Sequence, residues 1–100
     1  MQVKWVRLAL EDLEDAGEFI ARDNREAATR TVKRIWDATQ LLGEHPYAGR
    51  AGRVPGPREL VISETPFIIP YRVADDSVQI LRVLQGKRKW PNRLQSQMSG

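Results

Sequence analysis

The 100-residue sequence predicts an α+β domain: an N-terminal strand, a helical hairpin and a three-stranded antiparallel meander, with both helices packed on one face of the sheet. Three observations point there. Apolar residues recur at helical spacing through the first half, runs rich in Val, Ile and aromatics fill the second, and a Gly- and Pro-rich stretch divides the two.

The opening QVKWVRL alternates Val3 and Trp5 against Gln2, Lys4 and Val6, and its β-branched and aromatic content suits a first strand over residues 2–8. From residue 8 to residue 22, Leu10, Leu13, Ala16 or Gly17, and Ile20 recur every three or four positions among acidic residues, which predicts an amphipathic helix. Asn24 is placed to accept hydrogen bonds from the free N–H groups of a second helix, with Glu26 near its positive end. Ala28, Val32, Ile35, Thr39 and Leu42 form the apolar stripe of that helix, which Gly43 and Pro46 end. Residues 45–57, HPYAGRAGRVPGP, read as irregular loop. RELVIS, PFIIPYRVA and SVQILRVLQG then read as sequential antiparallel strands, with Asp75 and Asp76 in a hairpin turn. Pro70 lacks a backbone donor, so a bulge or an unpaired segment is expected beside it. The expected domain covers residues 1–91, and the polar residues 92–100 are expected to fray.

Composition narrows the chemistry. No run approaches the roughly 18 apolar residues of a membrane span, and acidic residues arrive too early for a secretory signal, so a cytoplasmic protein without membrane contact is expected. With no cysteine and one histidine, His45, disulfides and thiolate metal sites are excluded, and no metal or cofactor is expected. His45 itself is expected at the helix end, near the last carbonyls. Charge is unevenly distributed: residues 1–47 hold 7 Lys and Arg against 9 Asp and Glu, whereas residues 48–100 hold 9 against 4. The basic second half suits a polyanion or an acidic protein as partner.

Several stretches together carry a family resemblance: ALEDLEDAGEFIARDN, LLGEHPYAGRAGRVPGPRELVI, TPFIIPYRV and VQILRVLQGKRKWP. The chain resembles the RelE/ParE superfamily of toxins from type II toxin-antitoxin modules over about residues 2–91. That resemblance implies two activities. RelE-like members cut messenger RNA on the ribosome, and ParE-like members block DNA gyrase. Metal-free RNA cleavage needs a base, a cation for the developing phosphorane charge and an acid. Where RelE-like chains carry lysines on the second strand, this sequence has Arg58, Glu59, Leu60 and Val61; where they carry an arginine ahead of Tyr71, it has Phe67, Ile68 and Ile69. Arg88 matches a ribonuclease position, and Arg58 with Glu59 leaves a clamp and base open. The resemblance therefore favours the ParE-like branch: a binding toxin of DNA gyrase with no catalytic residues, the ribosome-dependent endoribonuclease being the alternative. It also implies a cognate ParD-like antitoxin in a hetero-oligomer, with operator DNA reached only through that antitoxin.

The residues expected to meet the target are Arg58, Arg82, Lys87, Arg88, Lys89 and Trp90. An aromatic among cations can stack while the cations hold phosphates, and Trp90 can equally plug the core. Arg82 either contacts phosphate or an acidic surface, or pairs with a carboxylate. Arg50 and Arg53 can extend the same positive surface. Trp36, at the edge of its apolar stripe, and Arg72 are expected to meet the antitoxin, with a strand-pairing role open for Arg72.

Overall fold

The structure, a computed structural model, describes residues 1–86, in the order β1 (Gln2–Trp5), α1 (Arg7–Ala21), α2 (Arg25–Leu41), β2 (Arg50–Ala51), β3 (Arg58–Val61), β4 (Phe67–Ala74), β5 (Ser77–Ile80) and β6 (Leu84–Gln85). The expectations placed on Lys87, Arg88, Lys89, Trp90, Pro91 and residues 92–100 lie outside the described residues.

Both helices form where the apolar spacing puts them. The first strand stops at Trp5 rather than Leu8, because Val6 gives its N–H to the Ile80 carbonyl (3.1 Å) and its own carbonyl already receives Ala9 and Leu10, starting α1. Between the helices Asn24 takes an extended conformation and its Oδ1 accepts the Ala27 N–H at 3.0 Å, capping α2. Gly17 lets the helices approach closely, since a Cβ there would lie 3.2 Å from Val32.

The sheet runs β1-β5-β4-β3-β2, with β6 also pairing β4. Only the β1–β5 contact is parallel among these pairs, and a parallel pair needs a long crossover, here everything between Trp5 and Ser77. Asp75 and Asp76 both adopt positive φ (53° and 57°), as a tight two-residue hairpin turn requires, and deliver Ser77 opposite Ala74. β2 was not expected. Two residues of the Gly- and Pro-rich stretch pair with β3, where Arg50 lies opposite Glu59.

The strand expected over residues 77–86 is broken, and the cause is Pro70. Tyr71 pairs with Ile80 and Ile68 with Leu84, so Ile69 and Pro70 face three residues, Leu81 to Val83. Pro70 offers its carbonyl to the Leu81 N–H (2.9 Å) but has no N–H to return, and the opposing strand leaves the ladder for one extra residue.

The core lies between the helices and one face of this sheet. Ala9, Leu13, Ile35 and Leu42 pack with Ile69, Tyr71, Val78 and Ile80. Tyr71 is fully buried, and its hydroxyl accepts the Gly49 N–H at 2.8 Å. A Cβ at Gly49 would fall 2.6 Å from the Tyr71 ring, so glycine is required where the loop crosses that ring.

Candidate functional site

Strand register decides which charges share a face. Residues directly opposite in a sheet project to the same side. Tyr71, Ile80, Trp5 and Arg58 are mutual partners on the helix-covered side, and the next residue along each strand turns to the open side. The open face therefore carries Lys4, Gln79 and Arg72 in one row, and Arg50, Glu59 and Pro70 in the next. Lys4, Arg72 and Arg50 are exposed there, with Arg72 Nε held by Gln79 Oε1 at 2.7 Å.

Glu59 is the hub of this face. It is 1% exposed, and its Oε2 accepts both the backbone N–H and the Nε–H of Arg53 at 3.1 Å, while Oε1 receives Arg50 Nη2 at 3.4 Å. A carboxylate buried to this degree is tolerated because cations and donors surround it. Arg53 reaches on through Nη1 to the Gly86 carbonyl at 3.2 Å, tying the β2–β3 loop to the end of β6. The carboxylate that sequence left open as a general base is thus packed inside a guanidinium cradle.

Arg58 and Arg82, two of the expected target contacts, lead away from that face. Arg58 donates to the carbonyls of Gly49 (2.8 Å) and Tyr47 (3.5 Å) and sits 5.1 Å over the Tyr47 ring, bracing the loop after α2. Arg82 is clamped by Asp12 of α1, which receives Nε at 2.6 Å and Nη2 at 3.0 Å and also takes the Val83 N–H at 3.0 Å. The hydrogen bond that Arg82 donates to Asp12 pushes its pKa above the usual arginine range, so its guanidinium stays charged. Of the two roles weighed for Arg82, the geometry displays the carboxylate pair.

Trp36 and Arg72, the expected antitoxin contacts, stand on opposite layers. Trp36 is 44% exposed on α2 and stacks on Trp5 of the edge strand β1, with centroids 5.4 Å apart and planes 19° apart. Trp5 and Lys4 are adjacent on β1, so that edge separates the Trp36 side from the Lys4–Arg72 side.

Sequence reasoning missed Asp12 and Lys4. Asp12 had one visible signal: alone among the acids of α1 it lies next to Leu13 and three residues from Ala9, at the border of the apolar stripe. Lys4 required the register of a parallel pair, which no local pattern carries. Tyr47, 64% exposed beneath Arg58, was also passed over inside its loop.

A sequence model of the family described as "ParE toxin of type II toxin-antitoxin system, parDE" matches residues 3–90. The chain is 42% identical over 93 residues to "Putative toxin Y4kP" of Sinorhizobium fredii, covering 93% of this chain and 96% of that one. It is 37% identical over 87 residues to "Toxin RelE2" of Caulobacter vibrioides, covering 87% and 97%. A solved structure described as "Chromosomal ParDE TA system from P. aeruginosa" superposes with a TM-score of 0.76 at 33% identity, covering 85% of this chain and 95% of the other. The fold, a helical hairpin over one face of a mixed sheet, is that of RelE/ParE superfamily toxins. Within that class the chain belongs to the ParE toxin family of type II toxin-antitoxin systems.

Proposed function

We propose that the protein arrests growth by binding DNA gyrase rather than by cutting RNA, and that a cognate antitoxin neutralises it. One observation carries this reading. Among the described strand residues of the open face the only carboxylate is Glu59, and it is buried and committed to Arg50 and Arg53, whereas Lys4, Arg50 and Arg72 are exposed. A face of exposed cations around an enclosed carboxylate is suited to gripping an acidic or phosphate-bearing surface. It is poorly suited to moving a proton. The positions where an RNA cutter would place an arginine, Phe67, Ile68 and Ile69, are all buried and apolar.

In this reading Lys87, Arg88, Lys89 and Trp90, which follow Gly86 in sequence, also meet the target. Arg58 and Arg82 stand off this face, one held by the carbonyls of Gly49 and Tyr47 and the other by Asp12. The antitoxin rounds the β1 edge, meeting Trp36 on one layer and Arg72 on the other, and so masks the face that the target needs. This protein works in the cytoplasm, where gyrase is.

A single preparation assayed for gyrase supercoiling and for ribosome-programmed messenger cleavage tests the reading. The expected result is inhibited supercoiling, trapped cleaved DNA and intact transcripts, reversed by the antitoxin. Transcripts cut at discrete codons with supercoiling unaffected would select the RelE-type activity instead.

A further inference from the structure

Gly86, next after β6, is held against the open face at three points. Arg72, Pro70 and Ile68 are spaced two apart on β4, so the Ile68 side chain projects to the open side with them. Gly86 lies on that side chain: a Cβ added there would come 3.0 Å from Ile68 Cδ1. Its N–H donates to the Pro66 carbonyl, and its own carbonyl accepts Arg53 Nη1 at 3.2 Å. Both peptide groups of Gly86 are thereby fixed, one by the turn before β4 and the other by the loop between β2 and β3.

Glu59 gives the Arg53 contact its direction. Arg53 donates both its backbone N–H and its Nε–H to Glu59 Oε2, each at 3.1 Å. A guanidinium is planar and rigid, so holding Nε on a carboxylate that is itself enclosed aims Nη1 at one place, the Gly86 carbonyl. Lysine at this position would keep the charge, but its single rotatable ammonium would not fix the two contacts together. Enclosing a carboxylate costs stability that an apolar side chain would not cost. What the enclosed charge secures here is the orientation of Arg53.

We propose that Arg53 is a positioning residue for target binding: oriented by Glu59, it pins the Gly86 carbonyl, so that the chain passes into Lys87 from the face that carries Lys4, Arg50 and Arg72. Only a peptide bond, about 3.8 Å between Cα atoms, separates Lys87 from that fixed point. A binding segment that starts from a fixed point loses less freedom on meeting its target, so the bracket raises affinity without itself touching the target. The inference rests on the reading above, in which Lys87, Arg88, Lys89 and Trp90 meet the target.

The test compares the full natural chain with Arg53→Lys, with Arg88→Ala/Trp90→Ala, and with all three changes together. Each is measured for half-inhibition of supercoiling and for the induced level that stops growth, with thermal denaturation confirming a folded protein at the assay temperature. Arg53→Lys is expected to raise the half-inhibitory concentration about tenfold in the natural chain but to add little to Arg88→Ala/Trp90→Ala, because both remove the same contribution. A purely structural role would lower activity by the same factor in both backgrounds. Gly86→Ala crowds Ile68 and the Pro66 carbonyl (3.2 Å) without a change of charge, and carries the same comparison should Arg53→Lys not fold. Full activity in Arg53→Lys, or losses that multiply in the combined variant, overturns the inference and leaves the reading standing. An unaffected Arg88→Ala/Trp90→Ala variant overturns the reading of that segment and the inference with it. Growth arrest with supercoiling intact removes gyrase as the target, and the growth measurement then decides the role of Arg53 by the same comparison.

Discussion

Asp12 and Arg82 meet in a two-point contact, Nε to Oδ2 at 2.6 Å and Nη2 to Oδ1 at 3.0 Å, across 70 residues of sequence. The same carboxylate accepts the Val83 N–H, one of the backbone groups left outside the ladder where Pro70 breaks it. The proline defect, the extra residue and the docking of α1 are therefore one unit. A regular strand at residues 81–83 would spend its N–H groups on β4 and leave α1 without this anchor.

Replacing Asp12 by Ala is expected to cost about 3 kcal/mol of folding stability, because it strands a largely buried guanidinium and a backbone donor together. Asp12→Asn keeps an acceptor for Val83 and is expected to cost less. Arg82→Ala combined with Asp12→Ala should destabilise by less than the two single changes summed, since each removes the same contact. Urea denaturation of the four proteins measures this, and strict additivity would show that the pair is not coupled.

Gly49→Ala is expected to cost about 3 kcal/mol, since the added Cβ would press on the rigid Tyr71 ring at 2.6 Å and the Glu59 carbonyl at 2.9 Å. Tyr71→Phe is expected to cost about 1–2 kcal/mol by leaving the Gly49 N–H buried without its acceptor. Adding Tyr71→Phe to Gly49→Ala should not rescue it, because the ring carbon that clashes remains. Thermal denaturation of the three variants distinguishes a steric origin from a hydrogen-bonding one.

Glu59→Gln preserves shape and removes the charge that gathers Arg50 and Arg53. The expected loss is about 3 kcal/mol, as two guanidinium groups are left facing a neutral amide. Hydrogen exchange should quicken first at the amide of Arg53, which donates to this carboxylate, and in the β2–β3 loop around it. Uniformly faster exchange over the whole chain would instead mean that Glu59 holds the global fold and not this loop.

The helices, the Asn24 cap and the Asp75–Asp76 turn were legible because each is determined within a few residues. Apolar spacing, a side-chain acceptor and a pair of turn-forming aspartates act locally. The break at 81–83 was visible only in part: Pro70 announced an irregularity, but its effect falls on the facing strand, whose own residues Leu81, Arg82 and Val83 read as good strand. β2 escaped because two residues in a glycine-rich loop pair only when Glu59 lies opposite Arg50. The functional face suffered from the same limit. Arg58 and Arg72 look alike in sequence, yet register turns one toward the Tyr47 loop and the other to the open face.

The open face makes a prediction that net charge alone does not. Lys4→Glu with Arg72→Glu reverses two cations in one row and should raise the concentration needed for half-inhibition of supercoiling by about tenfold. Both side chains are exposed, so stability should stay within about 0.5 kcal/mol. Arg7→Glu with Arg30→Glu changes the net charge by the same amount on the helical layer, where both residues are exposed, and should leave inhibition nearly unchanged. Raising the salt concentration should narrow the gap between the two double variants, because the affected contacts act between exposed charges. Equal loss of inhibition in both variants would assign the effect to overall charge and remove the Lys4–Arg72 row from the target surface.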